Sequence, residues 1–248
     1  MLLAALAAAP TAASPIDVRQ RFDPGPGEPT TVVLTLDACG GGFDAALLAT
    51  LVRWRVPATV FVTGRWIARQ PGAVRELLAH PQLFELENHG AAHRPAVVGQ
   101  TVHGMPGAPD LAAVAREIDE GAAALQRVAS RAPHWYRGAG ALYDPGSLEL
   151  IGQRGYRVAG YSLNADDGAT ATAATVAQRL RGVSAGDIVL AHLNKPAGGT
   201  AEGIAEALPT LLQRGVRFIK LSEAPGVQVL PAARQARERR PAAGPGAP

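Results

Sequence analysis

The sequence predicts an α/β fold, its mostly parallel sheet closed or nearly closed into a single barrel domain. Three observations carry this. Apolar, β-branched runs alternate with helical stretches about seven times, the pattern of strand–helix repeats with parallel strands. The chain has 248 residues, 47% of them hydrophobic, enough for one large core of barrel size. Polar residues gather directly after separate strand-like runs: Asp37, His89 with His93, Arg137, Asn164 with Asp166 and Asp167, and His192. Barrels of this kind carry functional side chains at the carboxyl ends of strands, where loops begin, so the co-location marks one candidate site.

Taken in order, residues 14–30 read as a linker rich in proline and glycine from Asp23 to Pro29. Thr31–Leu36 is a buried strand, ending in the glycine-rich turn Asp37-Ala38-Cys39-Gly40-Gly41-Gly42. Phe43–Trp54 has helical composition, Ala58–Val62 is the next strand, and Trp66–Ala79 is helical with a break at Pro71-Gly72. Leu83–Leu86 is a strand delivering His89 and His93. Ala96–Pro109 is long and irregular, as functional loops often are. Leu111–Val128 is the clearest amphipathic helix. Then come strand His134–Tyr136, helix Asp144–Gln153, strand Tyr156–Tyr161 and helix Thr172–Arg181. Strand Ile188–Leu190, helix Ile204–Gln213 and strand Val216–Ile219 complete the folded part, 31–224. Residues 225–248 read as a disordered tail rich in proline, alanine and arginine.

The 24 Lys+Arg against 21 Asp+Glu leave a formal charge of only +3. The basic tail at 233–240 has no interleaved aromatics, so it reads as a solvated end, and nothing indicates a nucleic-acid partner. Cys39 is the single cysteine, which excludes an intramolecular disulfide. Residues 1–13 are apolar and small but fall short of the about 20 apolar residues that span a bilayer, so no stable membrane insertion is expected. They fit a signal peptide cleaved after Ala13, and hence an exported protein. The charged n-region is missing, and a plain Ala-rich leader is the alternative.

His89 and His93, four residues apart, face the same way if the segment makes a helical turn, and imidazole is the commonest ligand for zinc and similar ions. The zincin pattern is excluded, because Gly90 stands where a glutamate base is required. Gly40–Gly42 is not a phosphate cradle, since no Lys-Ser or Lys-Thr follows. His80, His103 and His134 fit no motif and read as ordinary surface or loop residues.

Over about residues 31–221 the order of these pieces resembles the polysaccharide deacetylase family, carbohydrate esterase family 4. Its first motif, Thr-Phe-Asp-Asp-Gly, is matched by Thr35-Leu36-Asp37-Ala38-Cys39-Gly40-Gly41. Its second, His-(Ser/Thr)-x-x-His, is matched by His89-Gly90-Ala91-Ala92-His93. The Arg-centred loop corresponds to Tyr136-Arg137-Gly138-Ala139-Gly140, and the Asp-containing loop to Asn164-Ala165-Asp166-Asp167-Gly168. Leu-x-His is Leu190-Ala191-His192.

The resemblance implies a distorted seven-stranded (β/α) barrel and a metal-dependent hydrolase. Such an enzyme removes N- or O-acetyl groups from a chitin- or peptidoglycan-like glycan, with a divalent ion, zinc, as cofactor. Asp37 matches the catalytic base, His89 and His93 the metal ligands, and His192 the proton donor. Arg137 is expected to keep Asp37 ionised, and Asp166 or its neighbour Asp167 to hold His192 protonated. The Tyr143 N–H is expected at the oxyanion, with Asn164 and Lys195 at the substrate edge. The family's second aspartate, a metal ligand, is replaced by Ala38. Asp37 turning to the metal, Cys39 as thiolate, or a water are the possible third ligands. The same substitution opens a second reading, a catalytically silent glycan-binding protein on the same fold; a third is a related hydrolase of the same superfamily acting on small amides or formamides.

Overall fold

The computed structural model describes residues 14–230; the leader read at 1–13 and the tail beyond 230 lie outside them. The chain forms a single α/β domain around a curled parallel sheet, in keeping with the expected (β/α) barrel. Its strands are β1 (Thr31–Ala38), β2 (Ala58–Val62), β3 (Phe84–Asn88), β4 (Trp135–Tyr136), β5 (Arg157–Val158), β6 (Leu163–Asn164), β7 (Ile188–His192) and β8 (Arg217–Ile219). Their order is β5-β4-β3-β2-β1-β7-β6, with β8 also paired to β1. β1, β2 and β3 are buried at every position, as runs covered by helices on one face and filling a barrel on the other must be.

The helices are α1 (Ala45–Trp54), α2 (Gly64–Arg69), α3 (Pro71–Leu78), α4 (Leu111–Gln126), α5 (Pro145–Gln153), α6 (Ala173–Arg181) and α7 (Thr200–Gln213). Side chains start them where the sequence turns from apolar run to polar cap. Asp44, Thr63, Asp110, Asp144 and Thr172 each accept a backbone N–H from the first turn that follows. Pro71 opens α3 and so divides the expected helix 66–79 in two.

The two ends of the sheet meet in one segment. Tyr156–Tyr161, expected as one strand, pairs with β4 only through Arg157 and Val158. The chain then bends, and Leu163–Asn164 pairs with β7 at the other end of the sheet. One bent segment thus belongs to both sheet ends.

The supposed linker 14–30 is structured and fills the bend. Gln20 N–H donates to the Tyr161 carbonyl, and Gly160 N–H to the Gln20 side-chain oxygen. A Cβ on Gly160 would stand 2.2 Å from the Val18 carbonyl oxygen, so glycine is required there. Ile16–Asp17 pairs with Leu142–Tyr143, and Gln20–Arg21 with Gln228–Val229. The first residues of the expected tail, 225–230, thus belong to the folded part, and Leu230 is buried. Alternation misses these two-residue ladders because they are too short and too polar to show a period.

Candidate active site

Strand register assembles the site. His192 at the end of β7 is the direct neighbour of Asp37 on β1, and Asn88 on β3 is the neighbour of Tyr136 on β4. His89 and Arg137, each one residue further on, leave the barrel side by side.

Arg137 is wholly buried, and each of its three guanidinium nitrogens donates a hydrogen bond. Nη1 donates to Asp37 Oδ1 and to Thr35 Oγ1, both at 2.8 Å. Nε and Nη2 donate to the carbonyls of Ala159 and Gly160, at 3.2 and 3.0 Å. Those are the carbonyls that the bend between β5 and β6 frees from sheet pairing. The ring of Phe61 lies 4.3 Å from its Cζ, a cation–π contact. Burial opposes the charge of Asp37, but Arg137, then His89 and His192, hold its carboxyl below the usual range.

His89 and His93 do come together, their ring centroids 4.9 Å apart, but no helical turn brings them there. The segment 90–94 is a loop with Gly90 at φ +83° and His93 at φ +61°. Asn88 Oδ1 accepts the Gly90 N–H, and one carboxylate oxygen of Glu117 on α4 accepts the N–H groups of Ala92 and Arg94 on either side of His93. The left-handed backbone at His93 costs of order 1 kcal/mol, and these bonds from a buried glutamate offset it. His89 Nδ1 donates to the Arg137 carbonyl at 2.6 Å, which leaves Nε2 facing inward, the arrangement of a ligating histidine.

That Nε2 is 3.4 Å from Cys39 Sγ and 3.6 Å from Asp37 Oδ2. Cys39, His89 and His93 offer donor atoms all within 4.8 Å of one another. Two imidazoles and a sulfur suit a zinc-type ion, whose bonds of about 2.0–2.3 Å place tetrahedral donors a little over 3 Å apart. The donor set fits the group the first motif lacked: Ala38 is buried and cannot coordinate, while the next residue reaches both histidines. Burial raises the Cys39 thiol, yet the charge of His89 and hydrogen bonds from His192, His89 and His93 bring it well below its ordinary value, favouring thiolate.

Asp166 is the residue that faces His192. Its Oδ1 is 2.9 Å from His192 Nδ1, and its Oδ2 accepts from the His192 N–H and from Thr200 Oγ1, each at 2.8 Å. Asp167 instead pairs with Arg179 at 2.8 Å. Burial works against a charged His192, but the bond to Asp166, helped by Cys39, pushes its pKa up to about 10.

A cavity of about 1090 Å³ opens over these groups, bordered by Asp37, Cys39, His93, His192, Asn164 and Lys195 among others. Tyr143 does not border it. Its side chain is fully buried and takes the Gly138 N–H, while Gly140, Ala141 and Leu142 form that wall. His103, read as an ordinary loop residue, lines the cavity, because residues 101–106 form a hairpin that folds over it. Asp17, Arg19, Arg65 and Arg69 line it too, and no local pattern in the sequence distinguishes them.

Fold and site together define a barrel protein whose strand ends gather a carboxylate–arginine pair, a histidine–aspartate pair and a Cys/His/His donor set in one cavity. Residues 25–159 match the polysaccharide deacetylase profile, and the chain belongs to that family. Among solved structures it is similar to BA3943, a carbohydrate esterase family 4 pseudoenzyme from Bacillus anthracis. There the TM-score is 0.67 at 18% identity, over 86% of this chain and 69% of that one. It is also similar to the Bc1960 peptidoglycan N-acetylglucosamine deacetylase (TM-score 0.68, 22% identity, 81% of this chain and 90% of that one). A family 4 acetyl xylan esterase from Clostridium thermocellum, bound to cobalt, gives a TM-score of 0.64 at 23% identity, over 78% of this chain and 89% of that one. No curated protein matches the chain.

Proposed function

We propose that the protein is a metal-dependent hydrolase that removes acetyl groups from a polysaccharide. The observation that carries the reading is the convergence, in one cavity, of the Asp37–Arg137 pair, the His192–Asp166 pair and the donor set Cys39, His89 and His93. A divalent ion, zinc in this reading, held by those three residues supplies Lewis-acid polarisation of the acetyl carbonyl and acidifies a water beside it.

The rest is done by the chain. Asp37, kept anionic by Arg137, accepts the proton of the attacking water. His192, its Nδ1 occupied by Asp166, presents Nε2 to the departing sugar nitrogen or oxygen and gives it a proton, because an unprotonated amine is too poor a leaving group. We assign the oxyanion donor to the main-chain N–H of Gly140 at the cavity wall, in place of the Tyr143 N–H; the Ala141 N–H is taken by the Gly138 carbonyl. Asn164 and Lys195, at the rim, contact the glycan. An extracellular polymer as substrate agrees with the leader read at 1–13, so we place the protein outside the cell membrane. Among the described residues no helix is long and apolar enough to cross a membrane.

Ala38 favours one other reading, a silent glycan-binding protein on the same fold. The two separate by acetate release from acetylated chito-oligosaccharides and acetylated xylan. The hydrolase releases acetate, stops on chelation, recovers with zinc, and is inactive as Asp37→Asn. Sugar binding with no acetate from any acetylated glycan would establish the silent module instead.

A further inference from the structure

Three carboxylates line the cavity, and each has its own arginine. Asp37 is paired with Arg137, Asp17 with Arg19 at 2.9 Å and Asp167 with Arg179 at 2.8 Å. Three cations on the same lining have no carboxylate partner among the described residues: Arg65, Arg69 and Lys195. Arg65 Nε donates to the Cys39 carbonyl and Lys195 Nζ to the Gly168 carbonyl, so both are fixed by main-chain oxygens that leave their charge uncompensated. Arg65 and Arg69 stand four residues apart on α2, hence on one face, where like charges repel unless an anion lies between them. Arg65 reaches the 39–42 turn from α2, and Lys195 follows Asn194, which donates to the Gly40 carbonyl from the loop after β7. The excess positive charge thus flanks the catalytic turn on both sides.

A second feature agrees. Neutral sugars are commonly held by stacking on open aromatic faces, and among the described residues this cavity offers no open Phe, Tyr or Trp face. Its lining has one Phe, Tyr or Trp residue, Tyr161, and the Arg19 guanidinium covers that ring with Cζ 4.2 Å from the centroid. Trp135, Tyr136 and Tyr143 are buried. Recognition falls to charge and hydrogen bonds, and guanidinium forks match carboxylate and other oxyanions.

We infer that the substrate is an anionic acetylated glycan, one whose sugars beside the acetylated unit carry carboxylate or a comparable oxyanion that Arg65, Arg69 and Lys195 bind. This rests on the hydrolase reading for its catalytic half only. Binding is tested on zinc-free protein by calorimetry with polyuronate oligosaccharides, sulfated cello-oligosaccharides and neutral cello-oligosaccharides of equal length, none of them acetylated. Turnover is tested on acetylated forms of the same three. An anionic oligosaccharide should bind about tenfold or more tighter than the neutral one at low salt, the gap closing as salt rises. The carboxylated and sulfated arms identify the anion. Arg69→Gln and Arg69→Glu, both at an exposed position, should narrow the gap in that order, through KM rather than kcat. Equal binding of neutral and anionic oligosaccharides, or a gap that survives Arg69→Glu and high salt, would overturn the inference. Acetate release from neutral glycans alone would overturn it too while leaving the hydrolase reading intact.

Discussion

At the scale of single residues the site is a set of buried charges, each kept by an oppositely charged partner against the cost of burial. Asp166 is lowered and His192 raised, so their ion pair persists across the neutral range. The raised His192 contributes stability that is fully present below its ordinary value of 6.5 and lost as pH rises through about 10. The lowered Asp166 contributes stability present above its ordinary 3.8 and lost as pH falls through its depressed folded value. A proton donor must be protonated and the base Asp37 ionised, so the kcat/KM profile should fall on the acid side only below the usual carboxylate range and on the alkaline side only toward about 10. Asp166→Asn removes the partner charge and should bring that limb down toward neutral pH. A limb that does not move would mean that Asp166 does not set the charge of His192. The sequence shows Asp37, His89, Arg137 and His192 plainly, because each polar residue interrupts an apolar run at a strand end. It does not separate Asp166 from Asp167, which differ only in the direction each side chain takes from the loop. Cys39 stood in the sequence as one of three possible third ligands, and its reach to both histidines comes from tertiary geometry.

At the scale of elements, α4 supports the histidine loop. Glu117 belongs to the apolar face of an amphipathic helix, where a carboxylate reads as an exception, and its two acceptor bonds run to residues 23 and 25 positions away. Such long-range capping leaves no local signal, and the four-residue histidine spacing pointed instead to a helical turn. Glu117→Ala leaves two N–H groups without acceptors at about 1.5–3 kcal/mol each at most. It should lower Tm by several degrees and weaken zinc binding about 10–100-fold, as measured by calorimetry. Glu117→Gln keeps a carbonyl oxygen in the same place and should recover most of both. Full zinc affinity in Glu117→Ala would show that the loop holds its shape without the glutamate.

At the scale of the whole molecule, the alternation of strands and helices was legible because hydrophobic periodicity records which face each segment buries. The defect in the barrel was not. It depends on a bend at Gly160 and on an N-terminal segment whose role shows only in contacts across more than a hundred residues. That segment buries Val18 and Phe22 and braces the carbonyls that hold Arg137. Removing residues 14–22 loses about 1.5–3 kcal/mol for each of these two side chains and should lower Tm by about 10 °C in thermal unfolding. An unchanged Tm would mean that the bend is self-supporting.

These scales meet at Cys39, His89 and His93, the proposed metal site, where the proposal puts a residue that the motif does not require in place of one that it does. X-ray absorption at the zinc edge of the purified, zinc-loaded protein reads that centre directly. One sulfur neighbour at about 2.3 Å together with nitrogen or oxygen neighbours at about 2.0–2.1 Å is the expected shell, with the sulfur lost in Cys39→Ala. A shell of nitrogen and oxygen alone in the unaltered protein would contradict the assignment of Cys39 as the third ligand.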